Sequence, residues 1–285
     1  MSTERALLIQ LVQKINEDRL VLPSLPEVAM NVRNLALEDE CSLADLAKEI
    51  SKDPALAVRL VALANSAAFG TSIKADSVTF AVSRLGLEKT RDLASAVAMH
   101  QLFYSEHKMT WEVLEQQWQS NIDVACCALA LLACQHERGQ LVHLTADTLL
   151  LACQIHNIGA LPVLEQAERH PHLFQDKAQL LRMIQLMRAP LGKAVLEHWQ
   201  FPRELIEVAR YWSDMSFQTP AVSYLDLVRL SALYTRQWVL PDPLSSSLEL
   251  FVRKGVIPDL EIFGMETYFL SFNEVRASFN VEAHV

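Results

Sequence analysis

Glycine is scarce in this chain: seven occur in 285 residues, with no Asn-Gly, Asp-Gly or Gly-Gly pair. Those dipeptides supply the positive backbone angles of two-residue hairpins, so their absence argues against an antiparallel sheet. Long apolar runs are missing too. The longest, Ala125 to Cys134 and Thr148 to Cys153, fall short of the roughly 20 residues that cross a bilayer, which predicts no membrane span. Met1 to Gln10 lacks the basic start, apolar segment and small-residue cleavage site of a secretory leader, so the chain is expected in the cytoplasm. Basic charge is neither abundant nor clustered: 25 Lys and Arg face 34 Asp and Glu, a formal net charge of −9. A nucleic-acid binder neutralises phosphates with grouped cations, and the nearest groups here, Lys89 with Arg91 and Arg203 with Arg210, are sparse. Nucleic acid is therefore not an expected partner. The five cysteines, Cys41, Cys126, Cys127, Cys134 and Cys153, form no CxxC and read as buried reduced thiols. No GxSxG elbow, GxxxxGK[ST] or GxGxxG phosphate loop, or HExxH metal motif occurs.

What is present is apolar recurrence at three and four residues, which predicts an all-α fold. Ser42 with Asp45 fits a capping box, and Asp53 before Pro54 fits an N-cap with proline at the first helical position, opening a helix to about Asn65. Ser77 caps a helix over Val78, Ala81, Val82 and Leu85, with Gly86 at its end, and an alanine-rich helix follows from about Glu88 to Phe103. Trp111 to about Gln135 reads as one long helix with Gly139 beyond it. Further helices are expected from Thr145 to His156, from Asp176 to Arg188, from Pro190 to Trp199, after Pro202, from Ala221 to Trp238, and from Leu244 onward past a Pro-Asp-Pro break. The expected organisation is a helical lobe over 1–105, a second lobe over 106–213, and C-terminal helices over 214–285 that pack on the second lobe or form a homodimer contact.

Three segments carry a specific likeness. Leu22-Pro23-Ser24-Leu25-Pro26-Glu27-Val28, Ser51-Lys52-Asp53-Pro54-Ala55-Leu56, and Leu63-Ala64-Asn65-Ser66-Ala67 through Gly70 closely resemble the N-terminal signature of the HDOD family in order and spacing. The signature begins near residue 18. Ala81 to Leu87, Trp118, Ile155-His156-Asn157-Ile158-Gly159, Gly192, Leu196, Trp199 and Pro202 look like its later landmarks. The resemblance implies an HD-domain-like helical bundle, and its motifs read physically as structural. The two Leu-Pro pairs hold the chain extended before a helix begins near Glu27, and Asn65 with Ser66 closes a helix by bonding to loop backbone.

HD phosphohydrolases, by the same resemblance, hold a divalent metal through a His, a His-Asp pair and a distant Asp, because imidazole and carboxylate together bind an ion that activates water. Here the pair is His156-Asn157, and a neutral amide stands where an anion would offset the ion's charge. The first ligand aligns near Ser120 or Asn121 and the last near Ser231 or Ala232. The vestigial site is thus Ser120, His156, Asn157, Ser231 and Ala232, with no metal and no cofactor expected. Asp123 and Asp226 lie one to two turns away and offer a rearranged site. The remaining histidines, His100 among them, read mostly as surface residues. Trp199, Phe201, Tyr211 and Trp212 read as core rather than as a base-stacking platform.

The resemblance implies a non-catalytic bacterial signal-transduction module that works through other signalling proteins. Two alternatives stand beside it: a residual metal-dependent phosphohydrolase acting on nucleotides, and a sensor that captures a small nucleotide between Ser120, His156 and Ser231.

Overall fold

The computed structural model describes residues 22–38, 40–69, 73–171, 174, 176–240 and 243–280, and several of its helices begin at side-chain caps. After Leu22-Pro23 and Leu25-Pro26, α1 (Glu27–Leu35) starts from Pro26. Ser42 and Asp45 close a reciprocal capping box on α2 (Leu43–Ile50). Asp53 accepts from the Leu56 amide to open α3 (Pro54–Ala64). Ser77 caps α4 (Val78–Leu85). Gly86 then takes φ 81° and ψ 177°, an extended positive-φ state outside the left-handed helical region that only glycine adopts freely, and α5 (Leu87–Ala98) follows at once.

The long helix α6 spans Lys108–Glu137, three residues earlier than its apolar pattern begins, and Gly139 lies past its end at φ 68°. Then come α7 (Ala146–Ile155) and α8 (Ala160–Arg169). Sequence periodicity did not give α8; Pro162 falls in its first turn, where the lost N–H has no helical partner to begin with. Residues 146–169 together form a segment apolar enough to cross a membrane, contrary to the run-length reading, but 94% of its most apolar stretch is buried inside the protein, as befits a core element.

Pro190 does not divide two helices as its position suggests. It sits inside one helix, α9 (Lys177–His198), which continues through it. The remaining helices are α10 (Arg203–Tyr211), α11 (Tyr224–Tyr234), α12 (Leu244–Lys254) and α13 (Glu266–Phe279). α11 is shorter at both ends than expected, because Ser223 and Asp226 fix its start by a capping box and Arg236 at φ 60° ends it. The Pro-Asp-Pro break includes residues outside the described set.

α6 is the spine. It packs against α7, α11 and α13, while α9 pairs with α8 and α10. α13 also reaches α3 and the 3-10 turn Ala67–Phe69, so the C-terminal helices touch the first hundred residues as well as the expected lobe. Trp199 Nε1 donates to the Pro23 carbonyl at 2.9 Å, tying the Leu-Pro signature to the end of α9. Trp199, Phe201 and Trp212 are buried in the core, and Tyr211 stacks on Phe217. Cys126, Cys127, Cys134 and Cys153 are free and buried, and burial raises the Cys126 thiol to about 12 and Cys127 to about 11.

Candidate functional site

His156 and Asn157 occupy the turn between α7 and α8, held by one close backbone approach. A Cβ on Gly159 would lie 1.9 Å from the Arg188 carbonyl oxygen and 2.4 Å from the Gly192 nitrogen. Only glycine lets the turn settle onto α9. Gly192 in turn approaches Ala209 of α10. The two glycines therefore set where the imidazole and the amide stand.

His156 is 2% exposed, and its Nδ1 donates to the Cys153 carbonyl at 2.7 Å, which leaves Nε2 as the bare nitrogen. Its ring meets the edge of Trp212 at 4.7 Å. Burial lowers its pKa to about 4, and the nearby Arg188 cation pushes the same way. Asn157 donates through Nδ2 to Gln117 Oε1, while its own Oδ1 is buried without a partner.

The α6 side is built from Gln117, Ser120 and Asn121. Asn121, buried, donates to the Gln154 carbonyl at 3.0 Å, and its Oδ1 is left without a donor. Ser120 is half-buried and donates to its own helix and to Gln237 Oε1 at 2.7 Å. Ser231 and Ala232 are fully buried, but they do not complete the site: Ser231 lies beside the Cys127 thiol, two turns along α6 from Ser120. The segment after α11 takes their place, with Gln237 on Ser120 and Trp238 against Trp212. His100 is a further correction, half-buried with its ring against Trp118 and its pKa lowered by burial.

Arg188 and Trp212 are the residues that ligand spacing did not point to. The Arg188 guanidinium lies 4.2 Å over the Trp212 ring, and both Arg188 Nε and Trp212 Nε1 are buried without an acceptor. Desolvation alone lowers the arginine pKa to about 10. The signal in the sequence was thin: an arginine two residues before a mid-helix proline, and a tryptophan that read as core.

These groups do not fit a divalent ion. His156 is the single ligand-type side chain of the pair, its partner is a neutral amide, and a guanidinium stands where it would repel the metal. Among the described residues no three His, Cys, Asp or Glu side chains converge. The two spare carboxylates serve structure: Asp226 pairs with Lys254 at 2.6 Å and caps α11, and Asp123 pairs with Arg276. Of five surface clefts on the described residues, none is lined by Ser120, His156, Asn157 or Ser231.

The HDOD domain family matches residues 22–215. The chain belongs to the HDOD family. A crystal structure from Shewanella amazonensis SB2B, provisionally named a metal-dependent phosphohydrolase, is 38% identical, with 98% of this chain and 100% of that one covered at a TM-score of 0.92. A provisionally assigned signal transduction protein from Marinobacter aquaeolei VT8 shares the HDOD fold at 19% identity and TM-score 0.61, over 98% of this chain and 67% of that one. An uncharacterized protein of Treponema pallidum (strain Nichols) is 26% identical over 204 residues, 67% of this chain, and the match spans 37% of that protein's length.

Proposed function

We propose that this HDOD protein is a non-catalytic regulatory module that acts in bacterial signalling by binding other proteins. One observation carries the reading. The turn that would present a His-Asp pair presents His156-Asn157, with the imidazole anchored on Cys153 and packed on Trp212 and the amide spent on Gln117. Metal-dependent hydrolysis of a phosphoester needs a charged ligand set to hold the ion and lower the pKa of its water. The name of the Shewanella relative suggests hydrolysis, and the donor set here argues against it. Purified protein incubated with Mn²⁺, Mg²⁺ or Ni²⁺ and a panel of nucleotides and cyclic dinucleotides should retain no stoichiometric metal and turn over none of them. Turnover that His156→Ala abolishes would overturn the reading.

A further inference from the structure

Four buried or half-buried arginines find oxygen acceptors, while Arg33 lies 4.0 Å over the Phe201 ring with Asp92 as its opposing charge. Arg229 donates to the Tyr211 carbonyl at 2.8 Å and to the Asp214 carbonyl. Arg84 reaches Asn65, Ile73 and Ala64. Arg91 pairs with Asp92, and Arg276 with Asp123. Among the described residues Arg188 has neither carbonyl nor carboxylate. No acidic group offsets its desolvation, and its contact is the face of Trp212. A cation–π contact stabilises such a group by about 0.5–2 kcal/mol. It leaves the N–H donors unused, and a second unused donor, Trp212 Nε1, belongs to the ring beneath. Two buried donors without acceptors on stacked partners call for an acceptor, and beside an uncompensated cation that acceptor is an anion.

We infer that Arg188, laid on Trp212 at the edge of the eroded HD turn, binds the phosphate group of a small molecule. Its planar fork matches a phosphate's oxygens, and the residue is half-buried, although Nε itself is covered. The charge preference of the turn is thereby reversed: the scaffold that elsewhere offers carboxylates to a cation here offers a guanidinium to an anion. The inference stands whether or not the module works through protein partners.

Inorganic phosphate is the probe. In protein carrying ¹⁵N-labelled arginine, the Arg188 Nε–Hε resonance should shift saturably with phosphate and much less with acetate, at chloride-matched ionic strength. The melting temperature should rise with phosphate alone. Arg188→Met should weaken the response about tenfold or more, the loss of one charge-assisted hydrogen bond. A phosphate response no larger than that to matched chloride, or one as large in Arg188→Met, overturns the inference, and an equal response to acetate overturns its assignment to phosphate. If Arg188→Met does not fold, the wild-type resonance decides.

Discussion

Asn65 and Asn157 both stand at a helix end inside a family motif, and they are treated in opposite ways. Asn65 exchanges two bonds with the Ala75 backbone, each 2.7 Å, and accepts a third from Arg84. Every polar atom of its side chain has work, and the loop before α4 is closed by it. Asn157 has one partner and an orphaned carbonyl. A fully satisfied amide marks a place where sequence is held by structure. A half-satisfied one leaves acceptor capacity unspent.

That contrast can be broken at several points. The largest effect belongs to Gly159→Ala, which forces a methyl group against the Arg188 and Gly192 backbone and should cost more than about 4 kcal/mol, read as insolubility or a collapsed melting temperature. Next comes acid. His156 titrates near its ordinary value when unfolded and at about 4 when folded, so the unfolded state binds the extra proton between those values. Stability should be complete above roughly pH 6.5 and fall by up to about 3 kcal/mol as pH drops to about 4, a limb that urea titrations on His156→Leu should find flattened. Asn65→Ala leaves the Ala75 N–H and carbonyl without their partner in a part-buried turn and should cost about 2 kcal/mol by chemical denaturation. Asn157→Ala, at the other pole, should cost about 1 kcal/mol or less, because half-buried Gln117 can turn to water. If Asn157→Ala proved as costly as Asn65→Ala, the two asparagines would be alike and the reading of the turn as eroded would fail.

The sequence carried most of the fold because its caps are local: Ser42 with Asp45, Asp53 with Pro54, and Ser77 all work within one turn of the residues they start. Pro190 misled for the opposite reason. Whether a proline breaks a helix depends on where the helix began and on what packs around it, and both are tertiary facts. The site was half legible. His156 and Asn157 could be placed by motif, and so could the first-ligand position, Ser120 or Asn121. Ser231 could not, because its place beside Cys127 depends on how α11 packs on α6, which leaves no mark in the local sequence. Arg188 and Trp212 were hidden more deeply, since a cation resting on a ring leaves no spacing pattern at all.

The helix α6 has 30 residues and is therefore about 45 Å long. Near one end Gln117 holds Asn157, and near the other Gln135 donates to the Val256 carbonyl at 2.7 Å beyond α12. The two contacts stand 18 residues apart, about 27 Å along the rod, so a tilt of about 5° at one displaces the other by about 2 Å. Any event at the His156 turn that displaces Gln117 is therefore felt, by leverage alone, where the last helices meet the bundle.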